Sequence, residues 1–382
     1  MIASFNRRQQ IRMYIESSSA EDIATKITDM IDNDNEIAMI LLGEEGNTDV
    51  YELIRKLNKS NIQFFGGIFP GLIYGTGVHH SGTILQKFPL LEKPELVKGL
   101  DDQNFKVPDF EGRLFEDTGK KHTLIILIDG MTANITQLLH RTFNNLGNSV
   151  NYLGAGAGSS HYEQKQCIFT PEGIFKDAAV IVPIEMETGL GVSHGLEFVS
   201  GPVLVTRSGN NAIQELNWKN AYQEYKGIIE DKIGKKWSDK EFSEHMDDFA
   251  LGIYCKDKEY IARVITNVSE KGELICAGEM PENAALSILR SKKDNMIAAA
   301  SKAAQEAIYP ERKARNSFIV ECVGRYKFLG DGFDAELGSI NSKITEDEAK
   351  PEGVLSVGEI SSYIDGILEF FNFTVVVGRF YE

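Results

Sequence analysis

The sequence predicts an α/β protein of two strand-rich domains with mixed and antiparallel sheets, the first containing an internal duplication of a β-α-β unit. Three observations lead there. Two stretches of the first half repeat one order of apolar run, polar turn, amphipathic helix and second apolar run. Each is followed by extended segments rather than another long helix. The second half opens with a helix and then returns to short, turn-bounded strands. At 382 residues the chain is long enough for two ordinary domains with full cores.

The first unit runs from Glu36 to Gly71. Ile37 to Leu42 form an apolar run, and Val50, Leu53, Ile54 and Leu57 then fall at i, i+3, i+4 and i+7. Asp49 stands where a helix cap is needed, and a second apolar run ends at Gly66-Gly67. The second unit runs from Thr123 to Ser159. Its polar turn carries Asp129-Gly130, its helix carries Ile135, Leu138, Leu139, Phe143 and Leu146, and Gly147 stops it. A short run then ends at Gly154. The matching glycines lie nearly the same distance from each first strand, which supports duplication. "GTILQKF" follows the first unit, and "KQCIFTPEGIF", "AAVIVPIEM", "GVSHGLEF" and "GPVLVTRSG" follow the second as strands.

The character changes near "NAIQELNWKNAYQEYKGIIEDKIGKKW", a helix with a lysine-rich connection, so the domains are expected to span residues 1–215 and 216–382. "FALGIYC", "EYIARVITNV" and "GELICAGEM" read as strands, and "DNMIAAASKAAQEAI" as a helix from its alanine content. "FIVECVGRYKFL", a short helix from Phe333 to Ile344, a polar loop, and strands in "VLSVGEISS" and "ILEFFNFTVVVG" complete a second α/β unit around an antiparallel sheet.

Composition excludes several function classes. The net charge of −16 argues against general affinity for nucleic acid, because a phosphate backbone is repelled. The longest apolar runs, such as Leu124 to Ile128, fall far short of the roughly 18 residues that a membrane span needs. The start "MIASFNRRQQIRMYIE" lacks the pattern of a secretory signal. Cys167, Cys255, Cys276 and Cys322 are widely spaced and form no CxxC, so the reducing cytoplasm is the expected location.

"GAGAGSS" at Gly154 to Ser160 lacks the following helix that a dinucleotide fingerprint requires, and close backbone approach at a strand end explains it better. Asp129 sits at a strand end, where catalytic acids occur, but helix capping is the simpler role. No Ser-His-Asp order, GxSxG elbow, P-loop or HExxH is present, so the chain is expected not to be an enzyme. Among the histidines, His194 differs in its neighbours. Gly191, Ser193 and Gly195 leave its imidazole unshielded, while Leu190, Val192, Leu196 and Phe198 supply apolar surface. A haem needs one axial imidazole, slender flanking backbone and an apolar pocket. On spacing alone a strand histidine with a satisfied hydrogen bond is the stronger reading.

At "GVSHG…GPVLVT…GNNAIQEL…AYQEY" the sequence resembles the join between the halves of FIST domain proteins (F-box and intracellular signal transduction). "FIVECVGRYKFLG", with Cys322, Gly324 and Arg325, resembles a C-terminal element of that family. "AELGSI", "PEGVLSVGEISS" and "FFNFTVVV" follow in the family's order, with Glu336, Gly353, Gly358, Glu359, Asn372 and Thr374. "FFGGIFPG" and "YLGAGAGS" suit its N-terminal half, so the resemblance runs from about Glu36 to Val377.

The resemblance implies a free-standing sensory protein. Histidine at 194 favours the nitric-oxide-sensing subset called NosP. That implies haem (iron protoporphyrin) ligated by His194 and contacted by Val192, Gly195, Leu196 and Phe198. Nitric oxide would bind on the open face, a partner histidine kinase would receive the signal, and the chain would pair as a homodimer. His161 and Cys167 are the next ligands to test. The alternative is a sensor of an amino acid or other small metabolite without haem, met by Arg325, Glu359 and Asn372. There the planar fork of Arg325 would pair with a carboxylate; the three residues equally suit a structural network that holds the sheet.

Overall fold

The computed structural model describes residues 12–110, 114, 121–255, 260–344 and 351–382. Its organising element is the β-α-β unit, which occurs three times among the described residues. Glu36–Gly43 pairs in parallel with Phe64–Phe69 across the helix Val50–Lys59. Thr123–Asp129 pairs likewise with Asn151–Ala157 across Ile135–Leu146. The third copy lies in the second half. There Asn316–Cys322 pairs with Glu352–Ser356 across two shorter helices, Val323–Leu329 and Phe333–Ile344.

Each parallel pair is the centre of a six-stranded sheet with one plan. Outside its first strand runs an antiparallel neighbour: Thr83–Pro89, Ala178–Ile184 or Val375–Tyr381. An edge strand follows: Arg12–Ile15, Glu95–Lys98 or Glu187–Ser193. Outside its second strand lies a hairpin that comes from a different unit. Gly71–Tyr74 and Gly77–His79, which follow the first unit, join the third sheet. Ile168–Thr170 and Gly173–Phe175, which follow the second, join the first. Glu359–Ser362 and Leu368–Phe371, which follow the third, join the second. The exchange closes a ring of three sheets around one threefold pattern.

Alternation along the strands builds the layers. Met39, Leu41, Ile125, Leu127, Phe318 and Val320 face a common core shared by all three sheets. The opposite faces carry helices. Val50, Leu53, Ile54 and Leu57 bury the predicted stripe of their helix, about 1.5–3 kcal/mol for each side chain. The Asp49 carboxylate accepts the Glu52 N–H at 2.9 Å, as the sequence suggested.

One glycine marks each parallel pair. A Cβ on Gly66, Gly154 or Gly353 would stand 2.3, 2.2 or 2.0 Å from the carbonyl oxygen of Ile40, Ile126 or Ile319, the residue opposite in register. The sequence reading found the first two of these glycines and missed the third unit. Its helical segment is broken around Gly330 and Gly332, and its edge strand is far away in sequence.

That separation is an insertion. Between Glu187–Ser193 and the helix Lys293–Glu306 the chain leaves the three-sheet core. It builds a separate eight-stranded sheet from Glu197–Gly209 through Ala285–Arg290, with its own core around Tyr225, Phe242 and Leu251. The packing units therefore differ from the linear division at residue 215. Strands on both sides of that residue share two of the core sheets, because a β-α-β unit needs its distant edge strand and hairpin to cover its ladders. Among the described residues no helix is long and apolar enough to cross a membrane.

Candidate functional site

The three units place equivalent residues at the carboxyl ends of their first strands. Gly43, Asp129 and Cys322 each stand three residues beyond the isoleucine that faces the glycine. In open α/β sheets, ligands collect outside these strand ends. Here a cavity of about 440 Å³ opens beside two of the three. The core contributes Gly130 to Ala133, the first turn of the helix Ile135–Leu146, Cys322 to Gly324, Val357, Gly358, Phe370 and Asn372. The inserted domain closes the other side with Asn210, Asn211, Val264, Thr266 and Cys276 to Glu279. A second cavity of about 570 Å³ shares Thr136, Asn210 and Glu279 with the first.

Several polar groups here lack partners. Asn372 is 4 % exposed, its Nδ2 donates to the Phe371 carbonyl at 3.0 Å, and its Oδ1 meets no donor. The Phe371 contact fixes the orientation of the amide, since the reverse would set oxygen against oxygen. Thr136 Oγ1 is likewise buried without a partner. The cap of its helix, Asn134, donates to the Leu100 carbonyl and makes no side-chain bond to the first-turn amides. The half-buried Glu279 carboxylate enters no hydrogen bond or ion pair among the described residues, and burial raises its pKa against the opposing pull of the nearby Arg263 guanidinium. A buried polar atom without a partner costs about 1–3 kcal/mol, so the Asn372 and Thr136 oxygens point to something that pairs with them.

The two titratable strand ends are occupied by structure. Asp129 is buried, which raises its pKa. Its carboxylate accepts the N–H groups of Met131 at 3.0 Å and Asp177 at 2.7 Å. It ties its own turn to the start of the neighbouring strand of the same sheet and does not cap the helix as expected; Asn134 holds that position. Cys322 lies on the cavity wall with backbone N–H groups of Phe373, Gly324 and Arg325 directed at its sulfur. Burial, reinforced by nearby Glu359, nevertheless pushes its pKa far up, so it is a thiol and no activated nucleophile.

Of the three residues expected to meet a metabolite, Asn372 reaches the cavity and the other two stand behind its wall. Arg325 is fully buried. Its Nη1 donates to the carbonyls of His194 at 2.6 Å and Phe373 at 3.2 Å, its Nη2 donates to Met296 O at 3.1 Å, and Glu336 and Glu321 pair with it. Burial disfavours its charge, but these carboxylates hold it protonated. The planar fork that was to grip a ligand carboxylate is spent on the protein's own carbonyls and acids. Glu359 is fully buried, accepts Ser356 Oγ at 2.6 Å and the Thr374 N–H at 3.2 Å, and is pushed by burial up to about 8.

His194 ends the strand Glu187–Ser193 at the point where the chain leaves the core. The glycines around it do not leave open space, because the alanine-rich helix Lys293–Glu306 fills it. A Cβ on Gly189, Gly191 or Gly195 would lie 2.3, 1.8 or 2.5 Å from the carbonyl oxygens of Ala307, Ala303 or Asn295. Gly195 also has φ +71°, which favours glycine. Leu190 and Val192 pack on the central core, Leu196 on the outer core of the third sheet, and Phe198 is 53 % exposed. The four apolar neighbours thus do not converge on one pocket, and His194 does not line either cavity.

Its Nδ1 accepts the Leu196 N–H at 2.9 Å, which leaves the ring proton on Nε2. A metal-bound histidine has the opposite arrangement, with its second nitrogen donating. These residues, as arranged, do not fit an axial haem ligand. His161 is exposed beside Ser160, and Cys167 is buried against Asp129. Among the described residues no cluster of three His, Cys, Asp or Glu side chains could hold a metal ion.

Sequence reasoning missed Thr136, Asn210 and Glu279. They are ordinary surface residue types, and only the docking of the inserted domain onto the core gathers them. Comparison with protein families gives two adjacent matches, the FIST N domain over residues 71–219 and the FIST C domain over residues 221–362. No curated protein matches the chain. Together the two matches span most of the sequence, and with the fold they establish that the chain belongs to the FIST family of small-ligand sensor domains in signal transduction.

Proposed function

We propose that the protein senses a small polar metabolite held in the cavity between the three-sheet core and the inserted domain. The carrying observation is that both bodies line this cavity and that the buried Oδ1 of Asn372 meets no donor there. An amino acid, or a molecule of similar size and polarity, suits the pattern of the walls. The uncapped first turn of Ile135–Leu146 offers N–H donors, and Asn372 and Glu279 offer acceptors. Occupancy would favour one packing of the inserted domain, because a ligand shifts an equilibrium only by touching both bodies differently in its two states. A partner protein such as a histidine kinase, or a second copy of the chain, would read that change.

A thermal-shift screen of small metabolites tests the reading, with Ala277→Trp as the control that fills the cavity. A ligand at about 100 times its Kd stabilises by roughly 2.7 kcal/mol, a shift of several degrees that the control abolishes. Equal stabilisation of both proteins refutes the proposal. The haem and nitric-oxide reading predicts instead a Soret band after haem-supplemented expression that His194→Ala removes. For His194 to take that role the Nδ1 contact with the Leu196 N–H would have to break.

A further inference from the structure

The charge inventory of the cavity says more about the ligand. Among the described residues, Glu279 is the one lining side chain that carries a formal charge. No lysine or arginine faces a ligand there. Arg263 lines the adjoining cavity, but its Nη1 donates to the carbonyls of Ala262 at 3.1 Å and Phe370 at 3.0 Å, and its Nε to that of Glu279 at 3.3 Å. Arg141 there is tied to the carbonyls of Phe105 and Gln103, each at 3.1 Å. The chain as a whole carries −16, so its field adds to the bias against an anion. The most deeply buried orphan, Asn372 Oδ1, is an acceptor as well. Phe370 also lines the cavity.

We infer that the cavity recognises an amine, with a protonated nitrogen paired to Glu279, a hydrogen bond given to Asn372 Oδ1 and an apolar body against Phe370. The amides at the start of Ile135–Leu146 would receive an acceptor at the ligand's far end, but the charged contact is Glu279. This inference rests on the cavity being the ligand site.

The test titrates three probes of one shape, benzylamine, benzyl alcohol and benzoate, by calorimetry into wild type, Glu279→Gln, Glu279→Asp and Ala277→Trp. Benzylamine is expected to bind at millimolar concentration and the other two more weakly. Glu279→Gln should weaken the amine at least about tenfold, since a charge-assisted hydrogen bond is worth roughly 1.5–3 kcal/mol, and Glu279→Asp should retain part of it. The inference is overturned if benzyl alcohol or benzoate binds as well as the amine, if Glu279→Gln leaves amine binding unchanged, or if benzylamine does not bind. If the alcohol or benzoate binds and Ala277→Trp abolishes that binding, the cavity remains the site and the amine assignment alone fails.

Discussion

Arg325→Met is the perturbation with the largest expected effect. The guanidinium is fully buried and lies against two buried acids, Glu321 and Glu336, and three backbone carbonyls. Two of those carbonyls mark the passages to and from the inserted domain. His194 is where the chain leaves the core, and Met296 sits in the first turn after it returns. Methionine fills much of the volume but leaves both acids without a cation. Breaking a buried pair in this way costs about 3–5 kcal/mol, a large part of the 5–15 kcal/mol that holds a typical domain folded. Burial already raises the pKa of both acids above the usual carboxylate range, and loss of Arg325 raises them further.

The sign follows from proton counts. Above the unfolded value of about 4.5 the unfolded chain has released these protons while the folded chain still holds them, so stability falls as pH rises. Urea unfolding of wild type and variant from mildly acid to mildly alkaline pH should show a gap that widens with pH. Hydrogen exchange should quicken at residues 194–196 and 293–296 before it does elsewhere. A variant as stable as wild type at alkaline pH, or a loss independent of pH, would refute this account of the network.

Other outcomes follow from the packing. Gly353→Ala should destabilise by at least about 1–3 kcal/mol in urea unfolding, because its Cβ would stand 2.0 Å from Ile319 O. Gly338→Ala, in a helix with nothing within 4 Å of the added carbon, should stabilise by about 0.5–1 kcal/mol. Wild-type stability should decline as pH rises from about 4.5 towards 7 and 8, where buried Glu352 and Glu359 respectively resist ionisation. Glu352→Gln keeps an acceptor for Gln86 Nε2 and should flatten the part of that decline below about pH 7, and an unchanged profile would show that Glu352 is not responsible.

Local periodicity and local chemistry were legible in the sequence alone. The stripe Val50, Leu53, Ile54 and Leu57, the Asp49 cap and the stop at Gly147 depend on contacts within a few residues, and the first two β-α-β units on strands that follow one another along the chain. Motifs spread along the chain carried the family as well, because separate short elements kept their order. Three matters were decided by tertiary structure. The third unit escaped notice because an insertion parts it from its edge strand. The glycines of "GLGVSHG" looked like space around a histidine, whereas a helix roughly a hundred residues later occupies it. Arg325 and Asn372 looked like equal partners for a ligand. Burial separates them, since a guanidinium sealed behind the wall must be paired within the protein, while an amide on the wall can leave one oxygen for a guest. Sequence spacing reports what the nearby backbone can do, and which side of a wall a polar atom occupies depends on distant segments meeting.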